Sequence, residues 1–174
     1  LPRAIEEYED IVADFPRSDH SAEAYYQMGL IEQRQRKDLE KAQELFEVAR
    51  KERANSEAGI RAQERYKDLN MLKRYKRTAD KGGKKSLAAM VDMAELYLLK
   101  LDEPDSALAT YDRILEKADT TEYASKALYA MGIVYADSLN DADAATGAFE
   151  RLIDTFPVSP YAQEARKRIQ RDVE

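Results

Sequence analysis

Apolar residues recur every three or four positions through nearly the whole chain, which predicts a succession of amphipathic helices. Between residues 57 and 80, for example, Ala58, Ala62, Leu69 and Leu72 fall on one helical face. Capping residues and prolines divide the pattern, and no alternating β-branched run of useful length occurs. The sequence therefore predicts nine helices, over residues 3–14, 18–37, 38–53, 57–80, 86–101, 104–117, 121–139, 141–155 and 159–173.

One stretch, residues 128–165, shows most fully the pattern that other parts of the chain repeat. Glycine or alanine stands where two helices must approach closely, and large residues stand where the space between them must be filled. A proline then ends the second helix of the pair because it lacks an N–H group. The positions that define this pattern are Leu128, Met131, Gly132, Tyr135, Ala145, Phe149, Leu152 and Pro157.

Alanines that anchor the second helix recur at Ala4, Ala42, Ala107 and Ala145, so the first and last steps are equal and the middle one is longer. We expect the Gly82-Gly83 pair to interrupt the series and so to account for the longer step. The link that follows each second helix is also repeated. It is clearest at residues 15–24 and 156–165, with weaker copies at 54–62 and 119–127.

This combination resembles the tetratricopeptide repeat, whose units are helix–turn–helix pairs. The step from Ala107 to Ala145 exceeds the usual period of about 34 residues. We expect one extra residue in the turn within each unit and three in the link. The resemblance implies an all-α fold, an α-solenoid of antiparallel hairpins with a C-terminal capping helix. It divides the chain into a partial block, 1–80, and two repeats plus the capping helix, 81–174, in one continuous solenoid.

The chain opens on a second helix with no first helix before it, so we expect it to belong to a longer protein. Such repeats bind partners on the concave surface that their first helices line, and the resemblance places a protein or peptide site there. For each side chain, packing between neighbouring helices is an equally open alternative. The positions transferred by register are Tyr26, Leu30, Gln33, Arg34, Val91, Glu95, Leu98, Lys126, Tyr129, Ile133 and Asp137.

A basic segment gives the sharpest charge feature, because residues 61–85 carry ten Lys or Arg and three Asp or Glu in a chain of net charge −6. Lys73, Arg74 and Arg77 are its candidate contacts with an acidic partner. The alternatives are a solvated helix face, contact with the acidic half of another subunit, and contact with anionic lipid headgroups or nucleic acid. The negative charge of the remaining chain argues against a nucleic-acid partner.

Catalytic and metal chemistry finds little support in the sequence, so we predict a protein that is not an enzyme and holds no cofactor or metal. The chain has no cysteine and one histidine, His20, which we expect to be a half-buried packing residue. Gly82-Gly83-Lys84-Lys85-Ser86 departs from a phosphate-binding loop, because Lys85 separates Lys84 from the serine. The acidic turns near Asp102 and Asp141 lack the spacing of a calcium loop and are expected to cap helices.

The long period and the linker Phe156-Pro157-Val158-Ser159, with Tyr161, Ala162 and Ala165, are similar to two groups of bacterial envelope proteins. These are the outer-membrane assembly lipoprotein and the Tol-associated cell-division coordinator. That resemblance implies a non-enzymatic scaffold in the periplasm or at the outer membrane. The alternative is a structural or oligomerisation module of a larger complex, packing through its open edge and basic helix. No apolar run is long enough to span a bilayer.

Overall fold

The computed structural model describes residues 2–172, apart from the side chains of Pro2, Lys84, Arg171 and Asp172. Within this range the chain is all-α, with nine α-helices and no strand, as predicted. The helices are α1 (Pro2–Asp14), α2 (Asp19–Arg34), α3 (Leu39–Glu52), α4 (Glu57–Asp80), α5 (Lys84–Leu96), α6 (Pro104–Lys117), α7 (Glu122–Ile133), α8 (Ala142–Thr155) and α9 (Pro160–Asp172). Val173, the predicted end of the last helix, lies outside the described residues.

Two compact units make up the chain, Leu1–Lys73 and Arg74–Glu174. Their boundary falls within α4, whereas the sequence suggested a division at residue 80. In the first unit α2 packs on α1 and α3. In the second unit α5 packs on α6, α7 on α8, and α8 on α9. Each of these pairs is an antiparallel hairpin or a link between successive hairpins, as the repeat pattern predicts.

First helices of the repeats carry a stripe of small buried residues that lets neighbouring helices approach closely. The stripe recurs in α2, α4, α5, α7 and α9 at one constant interval, except for a shorter step between α4 and α5. It includes a copy in α5 that the sequence analysis missed, because a glycine replaces the capping serine or threonine there. The paired positions are Ser21 and Ala24, Gly59 and Ala62, Ser86 and Ala89, Ala124 and Ala127, and Ala162 and Ala165.

Caps at the start of these helices explain the repeated link. Ser18 accepts a hydrogen bond from the Ser21 N–H at 3.1 Å and donates its own hydroxyl to the Phe15 carbonyl. Ser56 does the same for the Gly59 N–H and the Arg53 carbonyl. The hydroxyl therefore ties the end of one helix to the start of the next and satisfies an N–H group that has no partner within the helix.

Hairpin turns close through one recurring geometry. A residue in the left-handed region, Lys37, Asp102 or Asn140, follows the first helix in each of the three hairpins. The next N–H, for example that of Asp141, donates to a carbonyl six residues earlier at 2.9 Å. The bond spans one residue more than the corresponding bond of a Schellman motif, which joins groups five residues apart. Asp38 and Asp141 then cap the following helix, accepting from the N–H groups of Lys41 and Ala144.

The extra residue of the long period lies elsewhere than expected. The repeat period predicts this residue in the turn, but α5 and α7 instead continue into single π-helical segments, Tyr97–Leu101 and Val134–Ser138. A π-helical turn accommodates one residue more than an α-helical turn does. The additional residue is thus absorbed within the first helix, just before the turn.

Candidate partner-binding surfaces

The first-helix surface of the first unit contains Tyr26, Leu30, Gln33 and Arg34, all on α2. Tyr26 is buried, at 6% exposure, with its ring centroid 5.6 Å from that of Phe46. The Arg61 guanidinium carbon lies over the ring, 4.5 Å from its centroid, and Arg61 pairs with Glu23. Tyr26 is therefore a core residue beneath an ion pair, so a partner would meet Arg61 and Glu23 first.

The other three predicted residues of α2 differ in how much of their side chains is exposed. Gln33 is fully buried and presents no surface to a partner. Leu30 is half-buried and Arg34 is exposed, one helical turn apart. Only these two of the four predicted α2 residues present an accessible side chain.

In the second unit, aromatic side chains from three helices stack beside one another. Tyr129 on α7 lies with its ring centroid 5.8 Å from Phe149 on α8 and 5.8 Å from Tyr161 on α9. Tyr129 and Tyr161 are half-buried, whereas Phe149 is buried. Tyr129 therefore contributes both to packing and to the accessible surface, and Tyr161 joins it although the sequence analysis gave Tyr161 no binding role.

Apolar side chains extend this surface on both sides of Tyr129. Ile133 follows it by four residues on α7 and is half-buried. On the π-helical end of α5, Leu98 is half-buried and the neighbouring Leu99 is 73% exposed. Val91, in contrast, is 3% exposed and belongs to the core. The accessible apolar residues of the second unit are thus Leu98, Leu99, Tyr129 and Ile133.

Ion pairs join successive first helices of the second unit. The Lys126 ammonium lies 2.8 Å from the Glu95 carboxylate, and the hydrogen bond from Lys126 to Glu95 is the main cause that raises the pKa of Lys126. Arg168 of α9 donates two bonds, of 3.2 and 3.1 Å, to the two carboxylate oxygens of Asp137. These pairs place alternating charge around the apolar residues, and the bidentate pair fixes the position of Asp137.

The predicted basic residues fall in both units. Lys73, half-buried in the first unit, lines an open cavity of about 310 Å³ with Tyr66 and the acidic residues Glu40, Glu44 and Glu47. Arg74 and Arg77 are exposed in the second unit. Lys73 therefore faces acidic side chains of its own unit.

His20 is exposed, so the prediction of a half-buried packing residue is wrong. Its ring meets the edge of Phe15 with centroids 5.7 Å apart, and Phe15 is itself 53% exposed. Both line an open, mainly apolar cavity of about 400 Å³ together with Tyr8 and Ile11 of α1. The link between α1 and α2 contains Arg17, whose backbone lies in the left-handed region.

The described part of the chain shows neither a metal-binding cluster nor a membrane-spanning helix. Its His, Asp and Glu side chains form no group of three or more that could hold a metal ion. None of its helices combines the length and apolar character needed to cross a membrane.

Comparison with known families matches the chain to the tetratricopeptide repeat at residues 23–56, 88–121 and 126–159. The three segments together cover more than half of the chain. Their starting positions are spaced in the same two steps as the anchoring alanines Ala42, Ala107 and Ala145 of α3, α6 and α8. No curated protein matches the chain.

Proposed function

Because the chain belongs to the tetratricopeptide repeat family, whose repeats generally mediate protein–protein interaction, we propose that it is a non-enzymatic scaffold for a protein or peptide. The binding surface proposed for the second unit consists of Leu98, Leu99, Tyr129 and Ile133. The observation that carries this proposal is the 73% exposure of Leu99 beside half-buried apolar neighbours. Such exposed apolar groups with a charged surround are typical of an interaction surface.

Helix geometry supports grouping these residues. Glu95 on α5 pairs with Lys126 on α7, so the two helices face each other at this level. Leu98 and Leu99 lie one turn beyond Glu95, and Tyr129 lies one turn beyond Lys126. Because residues three or four apart share a helical face, the apolar groups stand side by side across the two helices.

The finer proposal assigns the scaffold to a bacterial cell-envelope assembly, in the periplasm or at the outer membrane. It rests on the resemblance of the linker around Phe156, Pro157 and Ser159 to envelope proteins. In the structure this linker turns α8 into α9, with Ser159 accepting a bond from the Ala162 N–H at 3.0 Å. An adaptor of this kind would engage an extended or helical segment of its partner, with the charged rim setting orientation and association rate.

Affinity capture from a bacterial envelope extract tests both levels of the proposal. The bait is compared with a variant carrying Leu98→Ser, Leu99→Ser and Ile133→Ser. A control carries Val48→Ser and Val158→Ser, because both side chains are exposed and lie outside the proposed surface. We expect a specific partner with the wild type and the control, and its loss with the surface variant.

Retention of that partner by all three proteins would place binding on another surface and reject the proposed one. A partner confined to the cytoplasm would reject the envelope assignment while leaving the scaffold role in place. Matched melting temperatures for the variants would exclude loss of binding through unfolding.

A second candidate function, a structural module, is favoured by the open apolar cavity beside α1. Phe15, Tyr8 and Ile11 line the cavity there, and burying such side chains would favour association. Sedimentation velocity of the wild type and of Phe15→Ser tests this candidate. It predicts self-association that the substitution abolishes, and a monomeric wild type at high concentration would reject it.

A further inference from the structure

The end of α4 and the start of α5 concentrate positive charge on one part of the second unit. Residues 74–85 contain six Lys or Arg and one Asp, whereas residues 86–174 contain 9 Lys or Arg and 17 Asp or Glu. We refer to the exposed cations Arg74, Lys76, Arg77, Lys81 and Lys85 as the basic surface. Its charge is opposite to that of the rest of the unit.

These cations are available to a partner. Among the residues that the structure describes, none of the five forms an ion pair. In the same unit Lys126, Lys167 and Arg168 each pair with a carboxylate at 3.1 Å or less. A carboxylate brought to the basic surface would therefore replace water, and no existing ion pair would have to break.

A small open cavity lies within this surface, with a volume of about 240 Å³. Its polar rim includes Arg74, Thr78 and Lys85. Its apolar side is formed by Tyr75 with Ala88 and Ala89. The volume is below the range typical of small-molecule sites, about 300–1,000 Å³, and suits one or two side chains of a peptide.

The cavity also contains one acidic group, Asp92, which limits what can bind. A nucleic acid carries an unbroken row of phosphates, and the acidic remainder of the unit would repel most of that row. A short acidic segment places its carboxylates only at the cations. A segment that mixes acidic and apolar side chains therefore fits this chemistry better than a polyanion.

We propose that the basic surface binds an acidic peptide segment of a partner protein, with a carboxylate between Arg74 and Lys85 and an apolar side chain against Tyr75. This site is separate from the apolar surface of Leu98, Leu99, Tyr129 and Ile133. Either site can fail without the other. The basic surface gives the scaffold a second contact, specified by charge.

Fluorescence anisotropy with a labelled peptide of alternating Glu and Leu residues tests this assignment. A peptide in which Gln replaces every Glu is the control ligand. The variant Arg74→Glu/Lys85→Glu is compared with Lys117→Glu/Arg151→Glu, which makes the same charge change at exposed cations elsewhere in the unit. We expect roughly a tenfold loss of affinity in the first variant and less than a twofold loss in the second.

Binding should also weaken as salt is raised, because exposed charges are screened. Failure of the wild type to bind the Glu peptide, equal binding of the Gln peptide, or equal losses in both variants would overturn the proposal. Tighter binding of an oligothymidylate or of phosphatidylserine vesicles would overturn it in favour of a polyanion surface. If the first variant melts early, Arg74→Gln/Lys85→Gln provides the same comparison with a smaller electrostatic change.

Discussion

Helix α2 and the part of α4 in the first unit share the small-residue stripe, but they differ at the position where a second helix must come close. In α2 this position is Gly29, and a Cβ built there would lie 2.6 Å from Cε1 of Phe46. In α4 the same register position is Lys67, an exposed residue. The hairpin of α2 with α3 thus depends on the missing side chain, whereas α4 carries a long, charged side chain at the same position.

The first helices α5 and α7 also carry a small residue at the position where the second helix comes close. Gly132 in α7 faces Phe149 as closely as Gly29 faces Phe46. Ala94 in α5 occupies the corresponding position opposite Tyr111, and both residues are buried. A hairpin therefore forms where the position holds glycine or alanine. No second helix follows in register where it holds lysine.

The largest expected effect comes from filling the contact in α2. Gly29→Leu should destabilise the protein by ~3 kcal/mol, since the new side chain displaces Phe46 from a fully buried site. Gly132→Leu should behave alike because its Cβ would meet Phe149. Thermal or urea unfolding measures both. The matched control is Lys67→Leu, expected to change stability by less than about 0.5 kcal/mol. A large loss at Lys67 would refute the comparison.

A second substitution sharpens the comparison at the start of α4. A Cβ at Gly59 would collide with the backbone carbonyl of Arg53, and a carbonyl cannot rotate away as a side chain can. Gly59→Ala should therefore cost roughly 2 kcal/mol in urea unfolding, although alanine favours helices more than glycine does. The control is Gly147→Ala on α8, where nothing lies within 4 Å, and it should be neutral or stabilising. Equal stability of the two variants would contradict this prediction, because it would show that the backbone at Arg53 moves aside without a loss of folding free energy.

The hairpin of α5 and α6 has the buried Tyr111 where the other two hairpins have phenylalanine, so its stability should fall at high pH. Burial, followed by the charge of Glu95, raises the pKa of Tyr111 to about 12 from the ordinary value of 10.0. The pKa of Tyr111 is thus higher in the folded protein than in the unfolded protein. Its contribution to the free energy of unfolding is therefore fully present below pH 10 and is lost as the pH rises toward 12. In Tyr111→Phe this loss of stability should be smaller by ~1–2 kcal/mol, because phenylalanine does not ionise. Stability measured from pH 8 to pH 11 would show this, and parallel curves for Tyr111→Phe and the wild type would contradict it.

The smallest effect concerns the caps that start the first helices. Ser18→Ala removes the acceptor for the Ser21 N–H and should destabilise by about 1 kcal/mol. Ser138→Ala, an exposed position at the end of a π-helical segment, is the control and should stay within about 0.5 kcal/mol of the wild type. If Ser18→Ala is as stable as this control, the Ser18 hydroxyl does not stabilise the start of α2.

The sequence by itself determined the helical class, the repeat family and most helix positions. Apolar spacing reports which side of each helix is buried, and close helix contact restricts residues such as Gly29, Ala42 and Phe46 strongly enough to be recognised locally. The bounds of α4 were predicted to the residue. The sequence also predicts helix caps at residues such as Ser18, Asp38 and Asp141, because a capping side chain accepts a hydrogen bond from an N–H group only two or three residues away.

Only the tertiary structure decided which of the predicted surface residues are accessible. Tyr26, Gln33 and Val91 are buried, although the half-buried Tyr129 and Leu98 occupy the same register positions in other repeats. No local pattern encodes this difference, because distant residues such as Arg61 cover the buried side chains. The π-helical segments and the exposure of His20 likewise depend on how the chain turns between helices. Periodicity gives the direction of a side chain from its own helix, whereas burial depends on distant residues that pack against it.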